Sequence, residues 1–248
     1  MADLFYSKKF IVNPLMVDLN RRLFPAEIFR LMQITADEHV RLLGFGEEIM
    51  SAKSLAWVLT RSCVKMDEYP VLTDEITVFT QTCEQHHGVY PRTFEFRNAD
   101  GNVIGKASTI WIVFDMEKRA MVSEKESGIV VPGHTGTLTR SELPGTARRP
   151  KDGKVTLSER TVVYSDLDMV GHMNNTRYID WLCDAFSPER YKNAFLSEIL
   201  INYISETPAG TTLELELTEN GNDFSFCDLS SPKKHFEISG KWKEMKPL

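Results

Sequence analysis

The sequence is poor in cysteine, and Cys63, Cys83, Cys183 and Cys227 lie far apart with no C-x-x-C among them. That spacing signals neither a zinc knuckle nor a disulfide framework, so reduced thiols, no metal and no cofactor are expected. Long apolar runs are missing as well. No stretch approaches the roughly 18 apolar residues a membrane helix needs, and the opening MADLFYSKKFIVNP has none, so a soluble, cytoplasmic protein without membrane partners is expected. Positive charge is in deficit: 29 Lys and Arg against 35 Asp and Glu leave a net charge of −6, which argues against a nucleic-acid partner. No G-x-S-x-G elbow offers a serine-hydrolase reading.

What is present suffices for a substantial core. With 248 residues, 42% of them hydrophobic, the chain can hold one large domain or two of ordinary size. A strand is expected over Phe10 to Val17, then a helix with Pro25 at its first position and Gly44 just past its end. Ile28, Leu31, Met32, Ala36 and Val40 form its apolar stripe. The period then changes from 3.6 to 2, and strands are expected over Leu55 to Met66, Asp74 to Cys83, Tyr90 to Arg97 and Val103 to Phe114. Asn98-Ala99-Asp100-Gly101 reads as a hairpin turn, and Glu117-Lys118 as a turn into one more strand near Ala120.

From Ser123 to Ser158 glycines and prolines break any period, Gly136 among them, and a surface linker is expected. It carries Arg140, Arg148, Arg149, Lys151 and Lys154, a solvated basic cluster or a place for an acidic protein partner to dock. A strand Arg160 to Tyr164, a helix Asn175 to Phe186 and strands at Glu198 to Ser205, Thr212 to Thr218, Phe224 to Leu229 and His235 to Lys243 follow. Strand, helix and meander thus occur twice. An offset of 168 − 18 = 150 places Asp18 on Asp168, Ile28 on Tyr178 and Leu31 on Trp181, while Glu68-Tyr69-Pro70 meets Glu206-Thr207-Pro208. This is the pattern of an ancient tandem duplication, with units at 1–122 and 159–248 and a linker at 123–158.

Chemistry concentrates in Ser165 to Phe186. Tyr178, Trp181, Leu182, Ala185 and Phe186 share one helical face, Asn174 or Asn175 is a good N-cap, and Asp166, Asp168 and His172 stand just before the helix. Unpaired N–H groups and the positive end of the helix dipole gather there, where a carbonyl oxygen acquiring charge would be stabilised. The same residues also admit a plainer account as cap, turn and surface loop. Arg22 occupies the place of His172 in the first unit, so only the second unit can carry a site of this kind.

DLDMVGHMNNTRYIDW is similar to the DxDxxGHxNNxxY signature of hot-dog thioesterases. Two such units in tandem, with LFPAEIFRLMQITADEHVRLLGFG in the first, resemble the fatty acyl-ACP thioesterases of bacteria and plants over essentially the whole chain. The resemblance implies an α+β double hot-dog, each unit a long central helix wrapped by a curved antiparallel sheet. It implies hydrolysis of fatty acyl-ACP by the second unit, with Asp168, His172 and Glu206 as the catalytic groups and N–H groups near Asn174 and Asn175 as the oxyanion site. A partly desolvated Glu206 would serve as general base, His172 would position water or protonate the leaving thiolate, and Asp168 would orient His172 or attack. From spacing alone Glu206 is equally a strand-end acid beside a proline.

The first unit would then supply the acyl tunnel, with Leu31, Met32, Trp57 and Trp111 as candidates that are otherwise core. Arg148, Arg149 and Lys151 are candidates for docking the acyl carrier protein. Two positions depart from the family pattern: Val170 stands where it has Asn, and Thr207 where it has Cys. The alternatives are an acyl-CoA thioesterase of the same fold, favoured by Val170 and the negative charge, and a non-catalytic acyl binder. A tandem unit pairs internally, so either a monomer or a homodimer is compatible.

Overall fold

The computed structural model describes residues 4–85, 87–133 and 143–245, so Gly136 and Arg140 of the linker lie outside the described residues. The first unit runs β1 (Phe5–Ile11), α1 (Pro25–Leu42), α2 (Glu47–Ser51), β2 (Leu55–Met66), β3 (Glu75–Thr82), β4 (Val89–Arg97), β5 (Val103–Asp115), β6 (Ala120–Val122) and α3 (Glu124–Ser127). The second runs β7 (Lys154–Thr161), α4 (Arg177–Asp184), α5 (Arg190–Asn193), β8 (Ala194–Tyr203), β9 (Thr212–Asn220), β10 (Asp223–Asp228) and β11 (Phe236–Glu244).

All strands join one antiparallel sheet in the order β1-β3-β4-β5-β2-β8-β11-β10-β9-β7, with β6 on β5. The order reads the same from both ends: β2 and β8, the equivalent strands of the two units, pair at its centre, Arg61 opposite Asn202 and Lys65 opposite Glu198. The central pairing makes the halves one body. On the helix side, Arg30 of α1 bonds Asp180 of α4, residues 150 apart, so Asp180 ties the two helices together.

The helices form where their apolar faces meet the sheet. Pro25 is the first residue of α1 and Gly44 follows its end at φ +84°, a conformation that suits glycine. Tyr178, Trp181, Leu182 and Phe186 are all buried, which makes them core, and each such burial stabilises by roughly 1.5–3 kcal/mol. The turn at Asn98 forms as expected, with Gly101 N–H on Asn98 O at 2.9 Å and Asn102 N–H on Asn98 Oδ1 at 2.9 Å.

Three expectations are corrected. The outer strands β1 and β7 begin earlier than Phe10 and Arg160, and the linker ends at Lys154. Helix α4 is shorter than Asn175 to Phe186. The duplication holds at offset 150 through the loop before the helix, where Asp18 N–H meets Arg22 O at 2.7 Å and Asp168 N–H meets His172 O at 2.8 Å. Beyond it the offset is 207 − 70 = 137, because Leu23 N–H meets Pro70 O at 2.8 Å while Met173 N–H meets Thr207 O at 2.9 Å. Glu206 therefore corresponds to Tyr69, one residue from the sequence alignment, and the first unit has no acid at that place.

Candidate active site

A five-residue turn before α4 carries the histidine. Asp168 Oδ1 accepts Val170 N–H at 2.9 Å and His172 N–H at 3.2 Å, and Gly171 closes the turn at φ +84°. Asp168 thus acts on His172 through the backbone, fixing the turn that presents the ring. Val170 lies at the tip with its side chain 64% exposed. His172 pairs with Pro208 as an isolated bridge, which sets it beside the loop following β8.

Glu206 stands in that loop, and its Oε2 is 3.7 Å from His172 Nε2, an ion-pair distance too long for a direct hydrogen bond. The same Oε2 accepts from Arg119 Nη2 at 2.9 Å. The Glu206 side chain is 43% exposed. Arg119 comes from the β5–β6 turn of the other unit; the sequence marks the turn but contains no signal for this contact.

The start of α4 divides the asparagines by role. Asn174 caps: its Oδ1 accepts Thr176 N–H and the Thr176 hydroxyl, both at 2.9 Å, and its own N–H donates to Asp166 O at 2.8 Å. Arg177 N–H donates to Asn174 O at 2.9 Å. Among the described residues the Asn175 N–H has no acceptor, so of the two expected oxyanion donors Asn175 remains and Asn174 does not. Thr207 is fully buried and its hydroxyl shares a hydrogen with Tyr178 at 2.8 Å, so it is committed to packing. Burial pushes the Tyr178 hydroxyl up to about 12, which keeps it a neutral partner.

Beside the turn opens a cavity of about 370 Å³, lined by Ala36, Val40, Trp57, Tyr90, Trp111 and Arg92 of the first unit, by Val131 of the linker and by Met169 of the turn itself. The aromatic polar atoms are occupied elsewhere: Trp57 Nε1 on Phe45 O, Trp111 Nε1 on Thr109 Oγ1 and the Tyr90 hydroxyl on Ile129 O, at 2.9, 2.9 and 2.8 Å. Their ring faces are left to the cavity. Trp57 and Trp111, candidates for the acyl tunnel, line this cavity. Met32 lines a second, small space of about 10 Å³, which shares Gln33, Ala36 and Trp111 with the cavity and is also lined by Asn175 and Thr176. Leu31 lines neither space and belongs to the core, because it faces the opposite side of α1. At one wall sits buried Arg92, whose Nη1 lies 2.9 Å from His39 Nδ1 and 3.1 Å from Thr80 Oγ1; burial lowers its guanidinium to about 10.

The linker cations are elsewhere. Ala147 N–H donates to Asn202 Oδ1, Arg149 pairs with Glu216 at 3.1 Å, and Asn220 donates to Lys151 O at 2.8 Å. Ile201 and Tyr203 of β8 face α4, so Asn202 and the linker bound to it lie on the other face of the sheet. Arg148, Arg149 and Lys151 line a hollow at the Asn220 end of β9, while Glu206 precedes its Thr212 end. Eight residues at about 3.3 Å each separate the two ends by roughly 26 Å. The cluster thus stands toward the opposite end of β9 from Glu206. Among the described residues the Lys or Arg side chain that pairs with Glu206 is Arg119 of the β5–β6 turn.

None of the four cysteines is activated. Burial pushes Cys63 up to about 11 and Cys183 up to about 12, and raises Cys83 and Cys227. At pH 8 a thiol at 11 is thiolate in about one molecule per thousand, so little of the attacking species exists. Native protein should keep its activity through iodoacetamide treatment that fully alkylates the urea-unfolded chain. Rapid stoichiometric inactivation would overturn the carboxylate and imidazole assignment.

The corresponding place in the first unit is plugged. Arg22 stands for His172 and bonds Tyr191 O, and Tyr69 stands for Glu206 with its hydroxyl on Leu196 O at 2.9 Å.

Residues 3–127 match the family model described as acyl-ACP thioesterase N-terminal domain, and residues 150–244 that of the C-terminal domain. Among curated proteins, the chloroplastic palmitoyl-acyl carrier protein thioesterase of Arabidopsis thaliana is 24% identical over 89% of this chain and 56% of its own length. The oleoyl-acyl carrier protein thioesterase 2 of the same plant is 25% identical over 83% and 61%. The chain thus spans little more than half the length of the curated relatives it matches. The solved acyl-ACP thioesterase of Bacteroides thetaiotaomicron superposes with a TM-score of 0.81 at 23% identity, covering 96% of this chain and 98% of that one. The 12:0-ACP thioesterase of Umbellularia californica also reaches 0.81, at 17% identity and 99% coverage of both. The fold is accordingly the tandem hot-dog, and the two matched halves establish that the chain belongs to the acyl-ACP thioesterase family.

Proposed function

We propose that the chain hydrolyses the thioester of a fatty acyl chain carried on acyl carrier protein, releasing free fatty acid and the carrier thiol. The observation that carries this reading is that His172 and Glu206 stand 3.7 Å apart, while the turn bearing His172 contributes Met169 to the wall of an apolar cavity built mainly by the other half. The acyl chain lies in the cavity between Trp57 and Trp111, and the carbonyl rests near the start of α4. Glu206 takes a proton from water, whose oxygen attacks the carbonyl carbon. The oxyanion is met by the Asn175 N–H at the helix start. The C–S bond breaks, His172 delivers its N–H proton to the departing thiolate, and the proton that Glu206 took from water passes to His172, which restores both groups. Asp168 holds the turn that aims the ring, and the first unit supplies the acyl cavity.

The test is thiol release from acyl-ACP and matched acyl-CoA substrates of graded chain length. Turnover on acyl-ACP that exceeds turnover on acyl-CoA is expected. Activity on CoA esters alone would make this an acyl-CoA thioesterase, and acyl binding without turnover on either would leave a binding protein.

A further inference from the structure

We propose that Arg119, a residue of the half that carries neither acid nor imidazole, is a positioning residue for Glu206. This rests on the assignment of Glu206 to the chemistry. Arg119 Nη2 donates to Glu206 Oε2 at 2.9 Å, and that oxygen is also the one 3.7 Å from His172 Nε2. Among the described residues Glu206 has no other side-chain partner, and His172 is too distant to hold it by a hydrogen bond. A carboxylate 43% exposed would otherwise rotate freely, so the guanidinium is what fixes the oxygen facing the imidazole.

The turn that presents Arg119 is built for the purpose of holding one shape. Asp115 Oδ1 accepts Glu117 N–H at 3.0 Å and Lys118 N–H at 2.9 Å. Met116 N–H donates to Ser54 O at 2.9 Å, and Ser54 Oγ to Glu117 Oε1 at 2.7 Å. Arg119 itself takes φ +54°, an unfavourable conformation for a residue with a side chain, and its guanidinium lies 5.6 Å from the centre of the Phe114 ring. Leu55 pairs with Asp115, and β2 runs antiparallel to β8, so this turn and the loop after β8 share one end of the sheet. The pair is exposed, 57% for Arg119, and exposed ion pairs add little to stability. Its effect belongs to geometry in the reaction, and catalysis then depends on both halves.

The experiment measures kcat, KM and melting temperature of the full chain carrying Arg119→Ala, Arg119→Lys, Glu206→Ala, or Arg119→Ala with Glu206→Ala. Arg119→Ala is expected to lower kcat about 10- to 100-fold, the cost of a misplaced catalytic group, with KM and melting temperature near those of the parent. Arg119→Lys should recover part of the loss. In the Glu206→Ala background, removing Arg119 should change nothing further. Parental kcat in Arg119→Ala, with Glu206→Ala inactive, overturns the inference and leaves the site assignment standing. A raised KM at unchanged kcat overturns it too, and assigns Arg119 to holding the carrier arm. An equal loss in both backgrounds, or full activity of Glu206→Ala, also overturns it, the last taking the site assignment with it.

Discussion

Replacing His172 or Glu206 by alanine should lower kcat for thioester hydrolysis by about 10²- to 10⁴-fold, the usual contribution of a general acid or base, while the melting temperature hardly moves. The separation of the two readouts follows from where the side chains sit. His172 is tied into the fold by its backbone, through Asp168 and Pro208, and Glu206 projects from a loop. Truncation at Cβ therefore leaves the turn and the sheet intact. The two groups would act on one water and one leaving thiolate, so the double variant should be no slower than the worse single one. A Glu206→Ala protein within a few-fold of the parent would remove Glu206 from the mechanism and leave the acid as a strand-end residue. A melting temperature that collapses with kcat would show that the loss reports unfolding.

Chain length is the second place where a large effect is expected. Ala36, on α1, lines both the 370 Å³ cavity and the space of about 10 Å³ beside Asn175, and among the described residues no other small one does so. Phenylalanine there would project into the space these residues line. In an apolar pocket one methylene of misfit is worth about 1–3 kcal/mol, or 10- to 200-fold, so Ala36→Phe should lose the longest acyl substrates by at least that much. The shortest ones, which need not pass Ala36, should be retained, and the ratio of short- to long-chain kcat/KM is the quantity to measure. An unchanged profile would place the acyl chain outside this cavity.

Much of the fold was legible because burial in this protein is periodic. The two long inner strands β2 and β5 carry apolar residues throughout, and their sequence-based limits, Leu55 to Met66 and Val103 to Phe114, fall on or within one residue of the observed ones. The edge strands were misplaced for the same reason. β1 and β7 lie at the ends of the sheet and are largely exposed, with SKK and SER in their middles, so they show no apolar alternation to read. A proline shared by EYP and ETP drew the alignment one residue out of register; backbone hydrogen bonds, which ignore residue type, restore it.

The candidate site divides in the same way. Asp168, Gly171, His172 and the asparagines lie within eight residues, and their roles as turn, ring and cap follow from local chemistry that travels with the sequence. Glu206 entered through a family pattern, and the structure adds its distance from His172. Arg119 is 87 residues from Glu206 and in the other unit, and the linker cations turned out to cross the far face of the sheet.

The sequence by itself determined the duplication, the inner strands, the helix start and the histidine before it, because each depends on neighbours within a few turns of chain. The pairing of β2 with β8, the cavity lodged in one half and bordered by Met169 of the other, and the guanidinium laid against Glu206 were decided by tertiary structure alone. Those contacts depend on how a curved sheet brings distant segments to one end, and no local periodicity encodes that.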